Sequence, residues 1–360
     1  MGENWTQTTL EKVVALRRGH DLSQARRVSG EVPVIGSGGI VGRHNVAIAS
    51  GPGVVIGRAT NLGRPVWIDE PYWPLNTSLY VTDFMGNDPR WVFHLFEVLD
   101  LSGYDSGSVQ PMLNRNYIRS VPVSLPPLTV QRRIAAALGA LDDLIETNER
   151  LTASLTTASR TLFQYLLTSG TPQEKRLTEV FELDFGAAFK GRYFSTRGVG
   201  TPLLRIRDLK TMSSDVWTTE RLYGATLVEP GDVVVGMDAE FRPTIWLGQP
   251  SFLNQRVCRV RSKIGGLALA REALEDPLRL IEASKTGTTV IHLNKRDLDE
   301  ALVTVPDAEA IRAYDDVAEP MREAVVALAE ERRELQGVRH ELLPLLMSGR
   351  VSPGEVDQGV

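Results

Sequence analysis

The chain has 360 residues, 42% apolar and 24% charged, with one cysteine and a formal net charge of −5. That length suits two domains, each able to bury its own core, and the composition excludes global disorder. Cys258 has no partner for an internal disulfide, which fits a reducing cytosol, and no run of 18 uninterrupted apolar residues exists to cross a membrane. The start, Met1-Gly2-Glu3-Asn4-Trp5, lacks a basic-then-apolar leader pattern, so a cytoplasmic location is expected.

Charge is unevenly spread. Residues 1–126 and 127–170 are each neutral, and residues 171–306 carry +1. Residues 307–360 hold six Lys and Arg against twelve Asp and Glu. The chain alone is therefore not a simple basic DNA-binding module, and tight DNA binding would need a partner's phosphate contacts.

In chain order, residues 1–126 show short Val/Ile/Thr/Tyr runs bounded by Gly and Pro. Gly53-Val54-Val55-Ile56-Gly57 and Ser78-Leu79-Tyr80-Val81-Thr82 read as strands, followed by a short helix around Trp91–Leu99. Residues 127–170 form a long heptad pattern. Residues 171–306 repeat the mixed pattern, with strands at Asp232-Val233-Val234-Val235-Gly236 and Arg256-Val257-Cys258-Arg259-Val260 and a helix around Leu269–Ala283. Residues 307–350 form a second long helix, and 351–360 read as a flexible tail. The Ser169-Gly170-Thr171-Pro172 linker and Ser348-Gly349 mark the ends of the two copies.

The most informative feature is an internal repeat of 180 residues. Leu113-Asn114-Arg115 recurs as Leu293-Asn294-Lys295, Ser106-Gly107-Ser108 as Thr286-Gly287-Thr288, and Pro126 falls on Pro306. With Leu138 at heptad position a, the a positions are Leu138, Ile145, Thr152, Ser159 and Leu166, and the d positions are Leu141, Asn148, Leu155 and Leu162. Adding 180 gives Ala318, Val325, Arg332, Arg339 and Leu346 at a, and Met321, Leu328, Leu335 and Leu342 at d. Apolar a and d positions make a coiled-coil seam. One helix over 128–168 would span roughly 60 Å at 1.5 Å per residue, more than a small domain. The polar a positions Thr152, Ser159, Arg332 and Arg339 are read as register-setting, or with the two arginines facing DNA or a partner.

Several loops carry residues suited to nucleic acid: Asn, Gln and Arg for base edges, and Lys, Arg, backbone N–H and small hydroxyls for phosphates. Ser37-Gly38-Gly39 with Arg43 and His44 reads either as a plain strand turn or as a backbone approach to phosphate. Arg58-Ala59-Thr60-Asn61-Leu62-Gly63-Arg64 sits like a hairpin loop, a solvated turn or a contact through Arg58, Asn61 and Arg64. Ser106 and Ser108, with Thr286 and Thr288, hold equivalent places in the two copies. Lys190 and Arg192 beside Tyr193 and Phe194, then Arg205, Arg207 and Lys210, form the most basic stretch, read either as a solvated charged face or as a nucleic-acid contact. Met237-Asp238-Ala239-Glu240-Phe241-Arg242 follows a strand, and Asp238 and Arg242 are candidates there, the carboxylate as an acceptor from a cytosine amino group.

Missing signals narrow the field. The five histidines are scattered and no cysteine cluster exists, so no metal site is expected. No P-loop, no Gly-x-Ser-x-Gly elbow, no dinucleotide fingerprint and no Asn-Pro-Pro-Tyr/Phe string occurs. Three readings compete: a DNA-reading subunit, a nuclease using Asp238 and Glu240, and a coiled-coil scaffold joining protein partners without sequence reading. The nuclease leaves the repeat unexplained, and the scaffold leaves the paired Arg/Asn loops unexplained.

Together these strings resemble the type I restriction–modification specificity subunits. In the first half the resemblance rests on Pro33–Gly42, Gly51–Arg58, Asn76–Tyr80, Ser106–Pro111 and Pro126-Pro127-Leu128 with Gln131–Ile134; in the second, on Pro202–Leu209, Pro230–Asp238 and Leu253–Val257. The second copy departs where Asp307-Ala308-Glu309 replaces the Pro-Pro-Leu…Gln stretch. The resemblance implies an α+β chain of two mixed α/β target-recognition domains joined by two long antiparallel coiled-coil helices with a pseudo-two-fold repeat. Each domain would read one half of a split, asymmetric double-stranded DNA target, with Arg58 and Arg207 serving different halves. Two methyltransferase subunits would dock on the helices, through Gln131, Ile134, Leu138, Leu141, Ile145, Leu155, Leu162, Val325, Leu328, Leu335 and Leu342. A restriction motor–nuclease subunit would join for cleavage. The chain itself would have no catalytic site and no cofactor, S-adenosylmethionine belonging to the methyltransferase.

Overall fold

A computed structural model describes residues 5–101, 103–104, 112–285 and 291–356. The chain divides into two compact units, residues 1–145 with 335–360, and residues 146–334. Each long helix is thus shared between units, whereas the sequence pattern suggests domain edges at the helix ends.

The first unit contains strands β1 (Thr6–Thr9), β2 (Ala15–Arg18), β3 (Val32–Gly36), β4 (Gly39–His44), β5 (Gly53–Gly57), β6 (Pro65–Ile68), β7 (Trp73–Pro74), β8 (Ser78–Asp83) and β9 (Pro122–Leu125). It also contains helices α1 (Pro89–Val98) and α2 (Arg115–Ile118), and α3 (Leu128–Ser169) starts here. The second unit holds β10 (Gln173–Arg176), α4 (Leu177–Val180), β11 (Phe181–Phe185), β12 (Phe194–Ser195), β13 (Thr201–Leu204), α5 (Asp208–Thr211), β14 (Trp217–Thr218) and β15 (Leu227–Val228). It continues with β16 (Val233–Gly236), β17 (Pro243–Ile245), β18 (Ser251–Leu253), β19 (Val257–Ser262), α6 (Leu267–Ala273), α7 (Glu275–Ser284), α8 (Lys295–Glu300) and β20 (Leu302–Val305), and α9 (Ala308–Met347) starts here.

The repeat is visible strand by strand. One sheet runs β2-β8-β5-β6, and its counterpart runs β11-β19-β16-β17, all antiparallel. In each unit a parallel pair forms a second sheet, β3 with β7 and β13 with β18. The terminal strands pair as β1 with β9 and β10 with β20. The period of 180 holds for β9 and β20, but β1 and β10 lie 167 residues apart, because the second unit is longer, mostly between β13 and β16, where β15 has no counterpart while β14 matches β4.

The all-apolar strands are explained by two covered faces. Val54 and Ile56 enter one core with Leu79, Trp91, Phe96, Ile134 and Leu138, while Val55 enters another with Ile35, Tyr72 and Tyr80. Val233 and Val235 join the main core of the second unit, and Val234 the smaller one with Trp246 and Leu253. Successive strand residues point to opposite faces, so a strand between two cores reads as an unbroken apolar run.

Every a and d position named above is buried or half-buried. Within the second unit the long helices run antiparallel: the Ser159 and Tyr314 hydroxyls are 2.8 Å apart, and Asn148 Nδ2 donates to Glu331 at 3.1 Å. Arg332 Nη1 donates to Glu149 at 3.3 Å. In the first unit Arg339 Nη2 donates to Glu97 at 2.8 Å, and its Nε donates to Asp142. The polar seam residues Ser159, Arg332 and Arg339 therefore pair inside the protein, which corrects the option that the two arginines face DNA or a partner. Burial disfavours the charge on Arg339, but the bonds to Asp142 and Glu97 outweigh it and raise its pKa.

The two helix starts do one job with different chemistry. Gln131, buried, donates to Pro126 O and Asn87 Oδ1, each at 2.9 Å, and accepts from Asp88 N at 2.9 Å. Asp88 in turn caps α1 by accepting from Arg90 N and Trp91 N. In the second copy Asp307 Oδ1 accepts from Glu309 N and Ala310 N, both at 3.0 Å, so the departure Asp307-Ala308-Glu309 is a side-chain cap. Part of the expected flexible tail is ordered: Val351 packs on the first core, and Pro353–Val356 form a helical turn, α10; residues 357–360 lie outside the described residues.

Candidate nucleic-acid interface

Each unit places a hairpin loop at the same point of its fold. In the first, Arg58–Arg64 joins β5 to β6; in the second, Met237–Arg242 joins β16 to β17. The backbone frames match bond for bond. Arg58 N donates to Thr77 O and Met237 N to Arg256 O, both at 3.0 Å. Leu113 N donates to Arg58 O and Leu293 N to Met237 O, both at 2.8 Å. Left-handed residues shape both loops, Asn61 at φ 53° and Ala239 at φ 63°.

In the first unit the Ser37-Gly38 turn between β3 and β4 lies against the Arg58–Arg64 loop. A Cβ on Gly38 would sit 2.8 Å from Nδ2 of the exposed Asn61 side chain, so the turn and the loop tip lie side by side. Gly39 has φ 116°, with open space beside it. Ser37 is buried, its hydroxyl donates to Thr77 O, and Ala59 N approaches it at 3.4 Å. Ser37 therefore braces the loop from inside, which corrects its expected role as a DNA contact. Arg43 is exposed, pairing with the Glu31 carboxylate at 3.6 Å and donating to Glu31 O. Arg64 and Asn61 are exposed. Arg58 joins Arg17, Arg18, Asn114, Arg115 and Leu79 around a cavity of about 280 Å³.

In the second unit Arg207 and Lys210, Asp238 and Glu240, and Arg242 line one cleft of about 490 Å³, over a floor that includes Ile206 and Leu209. Asp238 Oδ1 is 2.6 Å from His292 Nδ1 and 3.5 Å from Arg256 Nη1. Arg242 donates to Glu282 at 2.9 Å, and Lys210 lies 3.8 Å from Glu240. Both signs of charge thus face one hollow, a surface able to donate and accept.

The remaining candidates divide. Arg205 is tied to the buried Asp208 through its backbone N, Nε and Nη2 at 2.9, 3.1 and 3.0 Å, so it builds the α5 turn that presents Arg207 and is not itself free to read DNA. Lys190 and Arg192 are exposed, away from the cleft lining, with Arg192 stacked 4.9 Å over Tyr193. Ser106, Ser108, Thr286 and Thr288 lie outside the described residues. Lys210, part of the most basic stretch, does line the cleft, whereas sequence reasoning missed Arg17, Arg18, Arg115, Arg256 and His292. Only the repeat of Asn114-Arg115 as Asn294-Lys295 hinted at one of them.

The seam residues expected to dock a partner face their own units. Ile134 and Leu138 are fully buried and Val325 nearly so, and Leu342 packs on the first core as Leu162 does on the second. Leu141, Ile145, Leu155, Leu328 and Leu335 are half-buried. Their apolar surface is consumed by intramolecular packing, so the helix surface open to a partner includes the flank beside the seam, where Leu144, Leu151 and Tyr165 are exposed.

Among the described residues no three His, Cys, Asp or Glu side chains gather as a metal site, and no helix is long and apolar enough to cross a membrane.

Residues 2–157 match the family described as the type I restriction modification DNA specificity domain. The Type I restriction enzyme EcoBI specificity subunit of Escherichia coli is 34% identical over 132 residues, 36% of this chain and 28% of that protein. The MjaIX specificity subunit of Methanocaldococcus jannaschii is 20% identical over 79% of this chain and 74% of its own length. The crystal structure of a type I restriction–modification S subunit from M. genitalium superposes with a TM-score of 0.67 at 13% identity, covering 95% of this chain and 96% of that one. The fold is that of two repeated mixed domains with long paired helices. The first part of the chain thus matches the type I specificity-domain family, and most of the chain is similar in sequence and fold to specificity subunits of type I restriction–modification systems. The chain aligns with only 28% of the length of the E. coli relative.

Proposed function

We propose that this chain reads a bipartite, asymmetric double-stranded DNA target for a type I methyltransferase–endonuclease, docks two methyltransferase subunits, and does no chemistry itself. One observation carries the reading: the same hairpin loop, held by the same backbone bonds, occurs in both units with different side chains. A shared frame with exchanged contacts is what two half-site readers of unlike sequence require. Arg58, Asn61 and Arg64 serve one half, and Arg207, Asp238 and Arg242 the other. Asp238 and Glu240 act as acceptors and ion-pair partners, Asp238 beside His292 and Arg256 and Glu240 beside Lys210. The chain works in the cytoplasm beside genomic DNA, with S-adenosylmethionine held by the methyltransferase and a restriction subunit added for cleavage.

The test is co-expression with a type I methyltransferase subunit from the same operon, followed by single-molecule mapping of genomic methylation. A two-part motif with a fixed spacer, present only with this chain, supports the reading. Methylation that ignores the chain would leave a protein scaffold in its place.

A further inference from the structure

We propose that the hollow lined by Arg17, Arg18, Arg58, Asn114 and Arg115 is a phosphate-binding site that holds one phosphodiester of the DNA backbone beside the Arg58–Arg64 loop. The proposal rests on the DNA reading above and assigns the chemistry of one of its contacts.

Three chain segments build the hollow. The end of β2 supplies Arg17 and Arg18, which pair across the sheet with Tyr80 and Leu79. Arg58 is the first residue beyond β5, and its Nη1 reaches Asn76 O at 3.4 Å. Asn114 caps α2, and Arg115 follows it. Among the described residues no carboxylate lines the hollow. The carboxylate nearest Arg18 is that of Asp21, 4.0 Å away and 79% exposed, too loose to neutralise four cations. Among the described residues neither Arg17 nor Arg115 has an ion-pair partner.

The chemistry is one-sided. Asn114 Oδ1 already accepts from Asn116 N at 3.0 Å, so its amide offers the hollow only donors. Guanidinium groups are donors without acceptors, and their planar forks match phosphate oxygens. A ligand that only accepts, and that carries negative charge, satisfies every group present. Burial depresses the Arg58 pKa, and the adjacent Arg18 pushes it the same way, the signature of crowded cations without a counter-ion. Among the described residues the second unit does not repeat this cluster of cations: Asp184 stands in the place of Arg17 and binds Arg259 and Arg261, and Met237 stands in the place of Arg58.

The experiment uses the complex of this chain with its methyltransferase subunits. Affinity for a cognate and a scrambled duplex is measured between about 50 and 200 mM salt. The wild type is compared with Arg17→Ala/Arg115→Ala and with Arg17→Lys/Arg115→Lys; both side chains are exposed, so the fold is kept. Inorganic phosphate is titrated as competitor. The expected result is an equal loss on both duplexes, about tenfold, a log–log salt slope shallower by about one to two, an unchanged methylation motif, and rescue by the lysine variant. An alanine variant with wild-type affinity and slope overturns the site. A motif altered at one half with the slope intact overturns it too, because the hollow then reads bases. Inorganic phosphate held by the wild type and lost in the variant, with DNA affinity unaltered, assigns the hollow to free phosphate instead of the backbone. A wild type that does not distinguish the two duplexes removes the DNA reading itself.

Discussion

The two hairpin loops share a backbone frame and differ in electrostatics. Around Arg58 the charges are of one sign and largely unneutralised. Around Asp238 they are mixed and mutually paired, with His292, Arg256, Lys210 and Glu240 all engaged. One level deeper, the strand beneath the first loop presents Arg17 and Arg18, while its counterpart presents Asp184 between Arg259 and Arg261. The lesson is a division of labour. Buried apolar residues and backbone bonds hold the scaffold, and exposed charges are free to change, so one fold can carry two unlike recognition surfaces.

The largest expected effect separates scaffold from surface within the second unit. Arg205→Ala leaves the buried Asp208 without its charged partner and should cost about 3 kcal/mol of stability. Denaturant melts would show it, with the second half of the methylation motif unchanged in whatever protein folds. A stable Arg205→Ala chain with altered base preference would return Arg205 to the interface.

Next come the loops. Asp238→Ala should relax one position in the second half-site, by about 1–3 kcal/mol of discrimination, and leave the first half intact. Arg58→Ala should act only on the first half. A change in both halves from either substitution would break the two-reader comparison.

Acid should touch both units in the same direction. Burial would raise the Glu97 pKa, but its bonds to His94 and Arg339 lower it overall. Burial acts likewise on Asp184, and Arg261 and Arg259 overcome it. Carboxylates with lowered folded-state pKa values contribute stability that is complete above the unfolded pKa, about 4, and is lost as pH falls through the lower folded value. Melting temperature should therefore drop below about pH 4, and Glu97→Gln should flatten that drop for the first unit. A pH-independent melt across this range would remove both pairings from the account.

The smallest effect concerns Cys258, which stands where the first unit has the buried Leu79. Burial pushes its thiol up to about 12. The native protein should resist thiol reagents at neutral pH and react only once unfolded. Rapid native labelling would show that the second sheet opens in the folded protein.

Much was legible in the sequence because it was periodic. The heptad a and d positions, the apolar strands and the repeated Leu-Asn-Arg/Lys all register as patterns along the chain, and each lands where its periodicity implies. Amphipathic spacing is a local property, since burial of one helix face demands it whatever the partner. The drift of the repeat from 180 to 167 residues escaped notice, because the added residues carry no signal shared between the copies.

Only the tertiary structure decided which charged residues are braces and which are surface. Ser37, Arg205, Arg332 and Arg339 resemble contact residues in composition, yet each is satisfied by a partner distant in sequence or by a buried neighbour. Arg17, Arg18, Arg58 and Arg115 are scattered along some hundred residues and meet only when β2, the β5–β6 hairpin and α2 close on one another. A charge's role depends on what lies within a few ångströms of it, and long-range strand pairing, not local pattern, sets those neighbours.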